Sequence, residues 1–353
     1  MKEKKSEIRP IGRISPSKYT ATQKCAYRVV LAASTATPPL PYPPAIHLGN
    51  IIHKITELIT IGKITNIEDF ENTWQKLLST EENMLIENGL PSFVPLSANV
   101  PGYTIKKLQA RSRLRNVTPP AEGFTNQNVH IQTEKWLQST DSLIGGSIDL
   151  IITKNQHTKL CDLKTGIIFS EDGQIKEDYQ QQLRLYAYLY AENQGHYPDE
   201  ITIIDLSNQE YQITFTPDQC RSLAGSAKEM LLTINNSIKE KKWEALAQPE
   251  ISQCSQCLYR SSCDFYWPIV SSNTKSLFKD IKGHLVSFQQ FRSGDINVTI
   301  EQGGTRVQVS HLNSGNLELL TNSIGKEISV YNIKQYNTEG KYQATKTTRI
   351  YES

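Results

Sequence analysis

Two aspartates and a lysine within residues 145–166 have a spacing that suits metal-dependent hydrolysis. Two stretches rich in β-branched and apolar residues flank a polar turn at 154–157, a pattern typical of a β-hairpin. A turn centred there places Asp149 directly opposite Asp162, where the Cβ atoms of cross-strand neighbours are about 5 Å apart. Lys164 lies two residues beyond Asp162 and projects from the same face. One face of the hairpin is therefore expected to present two acids and a lysine.

That face suits the hydrolysis of a phosphodiester bond. Adjacent carboxylates repel each other unless a cation lies between them, and hard carboxylate oxygens favour Mg²⁺ or Mn²⁺. An ion held by Asp149 and Asp162 would polarise a phosphoryl oxygen and lower the pKa of a bound water, which Lys164 would position. The alternative is a solvent-facing hairpin on which Lys164 neutralises a surface acid pair. The opposite face is expected to pack into a core through its apolar residues: Ile148, Leu150, Ile152, Cys161 and Leu163.

A helix with an apolar stripe is predicted over residues 48–59, upstream of the hairpin. His53 lies off that stripe, with Gly49 one turn before it and Glu57 one turn after it. A lone histidine on a helix is usually a surface residue, but a bare backbone at Gly49 would let another element approach closely. We therefore interpret His53 as a candidate metal ligand.

A second helix is predicted over residues 177–193, downstream of the hairpin. Gln182 and Tyr186 are four residues apart and share a face, so both can reach one ligand or phosphate. The alternative is a tyrosine-rich helix that packs its rings into the core. That alternative explains Gln182 poorly, because a buried amide needs hydrogen-bond partners. A strand near 129–137 carries Glu134, a further acidic candidate.

Three of the six cysteines have the spacing of metal ligands: Cys254, Cys257 and Cys263. Cys161 and Cys220 fall at positions that suit small apolar side chains. Cys25 is then the natural fourth ligand, on a helix predicted over 18–33. The spacing alone leaves both Zn²⁺ and an iron–sulfur cluster open.

Length and composition limit the other classes of function. The chain has 353 residues, enough for two domains, and its net charge of +2 means that any nucleic-acid site must be a local patch. The densest basic run could contact phosphates, although a solvated helix face is the favoured interpretation: Lys106, Lys107, Arg111, Arg113 and Arg115. No apolar run approaches the roughly 20 residues of a membrane span, and no secretory signal is evident, so a cytosolic protein is expected.

The C-terminal part changes in composition after residue 267. Residues 268–275 are expected to form a linker, and residues 276–353 contain five short strands with one helix between the third and the fourth. That order resembles an OB-fold barrel, a fold that often binds single-stranded nucleic acid. Four aromatic residues could stack unpaired bases or instead fill the barrel: Phe288, Phe291, Tyr331 and Tyr336.

Taken in order, these motifs resemble those of RecB-type nucleases in the PD-(D/E)XK superfamily. Four segments match the successive family motifs: residues 48–53, 146–149, 162–166 and 182–186. The cysteine pattern resembles the iron–sulfur staple of the AddB and CRISPR-associated branches of that family. The resemblance covers about residues 14–267, and the order of the motifs makes it more specific than any one of them.

The resemblance implies a role for each matching position. His53, Asp149 and Asp162 would bind the metal together with the main-chain carbonyl of Leu163. Lys164 would orient or activate the water. Two residues of the second helix would organise the site and the DNA strand: Gln182 and Tyr186. Four cysteines would hold a structural [4Fe–4S] cluster: Cys25, Cys254, Cys257 and Cys263. Ser147 departs from the family, where a basic residue is common at that position.

The fold expected from the resemblance is a mixed sheet flanked by helices, stapled by the cluster and followed by the small barrel. The expected domains are 1–267 for the nuclease, 268–275 for the linker and 276–353 for the barrel. The expected activity is a Mg²⁺- or Mn²⁺-dependent exonuclease for single-stranded DNA or DNA ends, in repair, CRISPR adaptation or antiviral defence. The alternative is a DNA-binding subunit that cuts only within a helicase or CRISPR-like complex, whose motor a partner must supply because this sequence contains no Walker-type loop.

Overall fold

The computed structural model describes residues 8–35, 37–116, 129–270, 278–336 and 340–352. The helices of these residues are, in chain order, α1 (Pro16–Lys24), α2 (Ala26–Ser34), α3 (Pro44–Thr60), α4 (Ile67–Glu87), α5 (Leu96–Asn99), α6 (Tyr103–Ser112), α7 (Glu177–Gln194), α8 (Pro217–Lys239), α9 (Ile251–Cys254), α10 (Tyr266–Val270) and α11 (Leu317–Asn322). The strands are β1 (Val129–Gln138), β2 (Gly145–Lys154), β3 (His157–Lys164), β4 (Glu200–Asp205), β5 (Glu210–Ile213), β6 (Phe278–Gln290), β7 (Ile296–Gln302), β8 (Thr305–Leu312), β9 (Glu327–Gln335) and β10 (Lys341–Glu352). Within this part of the chain, no helix has both the length and the apolar character that crossing a bilayer requires.

Contacts divide the chain into two compact units, each made of separate segments. The first, which we call the sheet unit, consists of Pro10–Lys24 and Pro44–Lys242. The second, the barrel unit, combines Met1–Arg9, Cys25–Pro43 and Trp243–Ser353. The cysteine-bearing segments thus group with the barrel, whereas the expected boundary at residue 267 assigned them to the nuclease domain. The expected linker begins within α10, and its residues 271–275 lie outside the described part of the chain.

The sheet unit contains a mixed five-stranded sheet in the order β1-β2-β3-β4-β5. Only β3 and β4 pair in parallel, and α7 makes the crossover between them. In the β2–β3 hairpin, Lys154 pairs with His157 and Leu150 with Cys161, so the next position places Asp149 opposite Asp162. The predicted register of the hairpin is therefore confirmed.

The prediction of a single apolar face on this hairpin is wrong. Leu150, Cys161 and Leu163 pack together on one side. On the other side, the face of the acids, Ile151 and Leu160 are buried in the main core. Ile148, expected beside Leu150, also belongs to that main core. Because both faces of these central strands are covered, the alternative of a solvent-facing hairpin is excluded.

Two amphipathic helices position the remaining candidate residues. Helix α3 buries an isoleucine stripe against the aromatic residues of α4, as the spacing predicted: Ile51, Ile52, Ile55, Ile59, Phe70 and Trp74. Helix α7 starts with two acids that complement the positive end of the helix dipole and ends before Gly195. Its apolar residues pack on the sheet, as expected for a crossover helix: Leu183, Leu185, Ala187 and Leu189.

The single helix predicted over 18–33 is wrong, because the structure breaks it at Cys25. The backbone there is extended, with φ −163° and ψ 100°, and α2 begins at the next residue. Tyr19 of α1 is buried in the sheet unit, whereas Tyr27 of α2 packs edge-on against Phe265 in the barrel unit. Tertiary packing in two different units therefore overrides the continuous helical propensity of this segment.

The barrel unit closes five strands in the order β10-β8-β7-β6-β9. Strands β8 and β10 pair in parallel, and α11 lies between the third and fourth strands, in the predicted sequence of elements. Alternate residues of the strands fill the interior. Tyr331, a candidate for base stacking, is only 1% exposed and packs with Leu40 and Tyr266, so it cannot stack a base. Phe291 and Tyr336 are exposed.

Candidate active site

Three acidic side chains occupy the same level of three neighbouring strands. The β1–β2 register places Glu134 opposite Asp149, and the β2–β3 register places Asp149 opposite Asp162. The backbone of Glu134 has φ 49°, in the left-handed region that few residues other than glycine adopt. We call these three residues the acid row.

His53 of α3 joins one end of the acid row. Its Nε2 atom is 2.9 Å from Asp149 Oδ2, and its Nδ1 atom is 3.5 Å from Glu134 Oε1. One ligand atom from each of these three residues lies within 4.8 Å of the others, which suits a divalent ion. Burial lowers the pKa of His53, but the hydrogen bond to Asp149 and the surrounding negative charge outweigh it, so that this pKa is raised.

Asp162 is the buried member of the row, with 3% of its surface exposed. Gln182 Nε2 donates a hydrogen bond to its Oδ1 at 2.8 Å. The Lys164 ammonium forms an ion pair with its Oδ2 at 2.6 Å. Burial, aided by the charge of Asp149, raises the pKa of Asp162 despite the opposing charge of Lys164. A carboxylate that faces a second acid in such surroundings can bind a divalent cation.

The predicted metal ligands and the tightest group of possible ligand atoms differ in their members. The sequence indicated His53, Asp149, Asp162 and the carbonyl of Leu163, whereas the structure brings Glu134 rather than Asp162 into the tightest group. Asp162 is turned toward Lys164 and α7. Leu163 contacts the site through its main-chain N–H, which donates to Asp149 Oδ2 at 2.6 Å.

Lys164 is enclosed by polar and aromatic groups. Its ammonium donates a hydrogen bond to Gln182 Oε1 at 3.2 Å and lies 4.7 Å from the centroid of the Tyr179 ring. Burial lowers the pKa of Lys164, but the carboxylate of Asp162 outweighs that effect and raises it, so the ammonium stays charged. The sequence reasoning gave Tyr179 no role. Its position three residues before Gln182, on the same face of α7, could have indicated that it lies at the site.

Gln182 and Tyr186, which share a face of α7 as predicted, have different partners. Gln182 links Asp162 to Lys164, whereas the Tyr186 hydroxyl donates to the main-chain carbonyl of Ser147 at 2.6 Å. A Cβ atom at Gly146 would lie 3.2 Å from the Tyr186 oxygen and 3.0 Å from Pro16, so glycine permits this contact. Tyr186 therefore fixes the strand that carries Asp149.

Gly49 brings α3 close to the end of β3. A Cβ atom at this position would lie 3.2 Å from Thr165 Oγ1, tighter than ordinary van der Waals contact. The close approach expected from the sequence is thus present, and it sets His53 over the acid row.

A family model described as "PD-(D/E)XK nuclease superfamily" matches residues 13–264. The chain belongs to this superfamily. No curated protein matches the chain. The superfamily assignment agrees with the mixed sheet, the helical flanks and the order of the motifs that the sequence analysis identified.

Solved structures resemble the chain only weakly. A protein from Eubacterium rectale, provisionally named an exonuclease, has 10% identity, a TM-score of 0.37, and coverage of 65% of this chain and 82% of its own. A murine DNA-binding protein bound to double-stranded DNA has 6% identity and a TM-score of 0.19, and the match covers 64% of this chain and 95% of the murine protein. The tetrameric p202 HIN2 structure has 16% identity, a TM-score of 0.19 and coverage of 25%, and the chain spans 47% of its length.

In this PD-(D/E)XK protein Glu134, at one end of the acid row, lines a cavity of about 690 Å³, which we call the acid cavity. His53, Glu134 and Leu163 line it together with Glu57. Glu57 is buried and accepts hydrogen bonds from Lys54, at 2.5 Å, and from Thr133, at 3.0 Å. The sequence reasoning gave Glu57 no role, although it lies one turn from His53 on the same helix.

The four cysteines expected to hold a cluster all lie in the barrel unit: Cys25, Cys254, Cys257 and Cys263. Burial, aided by the charges of the other three thiols and opposed by a backbone hydrogen bond at Phe265, raises the pKa of Cys263 to about 11. No three of their sulfur atoms lie within 4.8 Å of one another in the part of the chain that is described. Cys161 and Cys220 are fully buried, as expected of small apolar side chains.

Proposed function

We propose that this PD-(D/E)XK protein is a divalent-metal-dependent deoxyribonuclease that hydrolyses phosphodiester bonds at the acid row. The observation that carries the proposal is the group of His53, Glu134 and Asp149, whose ligand atoms lie within 4.8 Å of one another. The buried Asp162 and its partner Lys164 lie beside this group. Acids gathered at one level of a sheet repel one another, and a bound cation relieves that repulsion.

The residues of the acid row would hold Mg²⁺ or Mn²⁺ together with His53. When bound, the ion polarises the phosphoryl oxygen and lowers the pKa of a water molecule. Lys164 keeps its positive charge beside Asp162 and can donate a hydrogen bond to that water or to the phosphate. Gln182 contacts both Asp162 and Lys164, and thereby fixes their relative position.

The substrate of the proposed enzyme is DNA, as single strands or duplex ends, cut in the exonuclease mode. The order of the motifs, which resembles RecB-type nucleases, supports this choice. The same resemblance supports a role in repair, CRISPR adaptation or antiviral defence, and a helicase or CRISPR partner. The acid cavity is open on one side to solvent-exposed residues such as Lys54 and Ile46, which gives a strand access to the site.

The activity is tested by incubating end-labelled single- and double-stranded DNA with the anaerobically purified protein and Mn²⁺ or EDTA. The proposal expects cleavage with Mn²⁺, none with EDTA and none by Asp162→Ala. Asp218→Ala is the matched control, because the Asp218 side chain is 90% exposed and lies outside the acid cavity. Cleavage that persists in Asp162→Ala would refute the assignment.

The proposed cofactor of the barrel unit is a structural [4Fe–4S] cluster held by Cys25, Cys254, Cys257 and Cys263. The resemblance of the cysteine pattern to iron–sulfur nucleases and the placement of all four cysteines in one unit support this proposal. We expect brown colour in the anaerobic protein and in Cys220→Ala, and its loss in Cys257→Ser. A colourless protein that contains zinc would overturn the cluster.

The barrel is proposed to be of the OB type, with a role in guiding the DNA strand to the active site. The closed five-stranded order, the parallel pairing of β8 with β10 and the position of α11 support this assignment. The expected domains, 1–267 and 276–353, are retained as part of the proposal. The exposed Phe291 and Tyr336 are the aromatic residues available for stacking in this unit.

A further inference from the structure

A second cavity lies beside the acid cavity in the sheet unit, with a volume of about 390 Å³. The segment that follows Lys164 connects the two. Thr165 lines both cavities, and the residues after it, Gly166 to Phe169, line the second one. Whatever occupies the second cavity therefore lies next to a group held at the acid row.

The walls of this second cavity are unusually apolar for a solvent-exposed surface. Ile167 is 76% exposed and Ile105 is 64% exposed, which makes them the two most exposed large apolar side chains in the described part of the chain. Both line the second cavity, and so does Phe169, which is 38% exposed. Exposed apolar side chains that converge on a concave surface indicate a ligand site.

One wall is held rigid by an aromatic contact. The Phe169 ring packs edge-on against Tyr211, with centroids 5.2 Å apart and an interplanar angle of 88°. The Tyr211 hydroxyl in turn donates to the Asp205 carboxylate at 3.2 Å. A ring that is already fixed loses little conformational entropy when a second planar group packs against it.

Lys106 supplies a positive charge at the boundary of the two cavities. Its ammonium donates to the main-chain carbonyl of Thr165 at 3.4 Å. Its basic neighbours are engaged elsewhere: Lys107 and Arg111 pair with Glu71, and Arg113 donates to the carbonyl of Asp205. Lys106 is thus the member of the predicted basic run that faces this cavity.

We propose that the second cavity binds an unpaired base of the substrate strand, next to the phosphodiester that is held at the acid row. The proposal rests on the proposed nuclease function. The apolar side chains would contact the faces of the base, and Lys106 would contact the phosphate that joins this nucleotide to the next. Gln109 and Ser207, at the polar rim, can hydrogen-bond to the edge of the base. A base that is paired and stacked within a duplex cannot enter, so the cavity selects single strands.

The test measures binding in EDTA, where no cleavage occurs, with a short fluorescein-labelled single strand. Abasic nucleotides are placed at each position in turn. The wild-type protein is expected to bind one abasic strand about fivefold to a hundredfold more weakly than the intact strand, the loss that removing one stacked base brings. Ile167→Ser should weaken binding of the intact strand by a similar factor. It should leave unchanged the binding of the abasic strand that the wild type binds weakly. Lys106→Met should weaken both strands equally.

The control is Ile86→Ser, because Ile86 is 50% exposed, lies in the sheet unit and lines neither cavity. If the wild-type protein binds all the strands equally, or if Ile167→Ser behaves like Ile86→Ser, the cavity binds no base and its apolar walls serve another partner, such as a protein. Mn²⁺-dependent cleavage is recorded separately. A protein that discriminates abasic strands but never cuts would contradict the nuclease and support the base site.

Discussion

The two units of the molecule bury charged side chains in opposite ways. In the barrel unit, Asp280 accepts hydrogen bonds from Arg260 Nε at 2.6 Å, the Tyr266 hydroxyl at 2.5 Å and the Asn332 main-chain N–H at 2.7 Å. The side chains of Arg260 and Asp280 are each 3% exposed. In the sheet unit, Asp162 is equally buried and pairs with Lys164, but the strand register places a second acid, Asp149, opposite it.

From this difference we infer that partners, rather than burial, distinguish a structural acid from the proposed functional one. Asp280 is surrounded by donors that satisfy its charge within the fold, so it needs nothing from outside. Asp162 faces a second acid, and burial raises its pKa, so a cation from solution would stabilise it. The comparison therefore predicts that equivalent changes in the two units affect different properties.

The largest effect is expected from Asp162→Asn. The variant keeps the size of the side chain but removes the charge, so cleavage of single-stranded DNA should fall by at least about a hundredfold. The melting temperature should fall less than in Asp280→Asn, because the Lys164 side chain that loses its counter-charge is 19% exposed, whereas that of Arg260 is 3% exposed. Cleavage kinetics and thermal unfolding of the same sample check both. Asp218→Asn serves as the exposed control. A large loss of stability in Asp162→Asn, with a normal cleavage rate per folded molecule, would contradict the comparison.

Asp280→Asn should show the reverse pattern. It leaves the Arg260 guanidinium buried without its counter-charge, which is expected to destabilise the protein by about 3–5 kcal/mol. Cleavage measured well below the unfolding transition should stay normal. Asp295→Asn is the control in the same unit, since its pair with His311 is exposed and contributes little. Equal unfolding midpoints in urea for these two variants would show that the buried pair is not structural.

Gln182→Ala should give a smaller loss, because Gln182 acts on the site through Asp162 and Lys164. We expect kcat to fall by roughly 10- to 100-fold, as for other residues that orient a metal ligand, while the KM for DNA changes little. Steady-state kinetics separate the two parameters, and Gln75→Ala provides an exposed control on α4. A rise in KM with an unchanged kcat would instead assign Gln182 to strand binding.

Tyr186→Phe should have the smallest effect. It removes one hydrogen bond, to the carbonyl of Ser147, and keeps the ring in the core. The expected loss of stability is about 1 kcal/mol, with only a slight change in cleavage rate. Urea unfolding measures the loss of stability. A loss of cleavage comparable to that of Asp162→Asn would show that the Tyr186 hydroxyl acts directly in the reaction.

The sequence was informative where a short-range pattern determines the structure. The polar turn at 154–157 sets the register of the hairpin and thereby aligns Asp149 with Asp162. The helical spacing of Gln182 and Tyr186 likewise depends only on local geometry. The sequence of the barrel strands along the chain was predictable from turn residues and from alternating apolar residues. The burial of Tyr331 was not predictable, because its neighbours come from distant segments of the chain.

The features that the sequence could not predict depend on long-range contacts or unusual backbone geometry. The left-handed backbone of Glu134 has no signature in its residue type, yet this residue joins the tightest ligand group. The break at Cys25 arises because the two halves of the segment pack in different units. The Arg260–Asp280 pair joins a residue that precedes α10 in the chain to a residue on β6. No sequence periodicity relates these two positions.

The most direct test of the comparison is the stabilisation of the protein by Mn²⁺. The melting temperature is measured in EDTA and in Mn²⁺ for the wild type, Asp149→Asn and Asp280→Asn. At a metal concentration about a hundredfold above Kd, the wild type should gain roughly 5–10 °C, and Asp280→Asn should gain as much from a lower starting point. Asp149→Asn should gain almost nothing. An identical gain in Asp149→Asn, or none in the wild type, would contradict a metal site at the acid row.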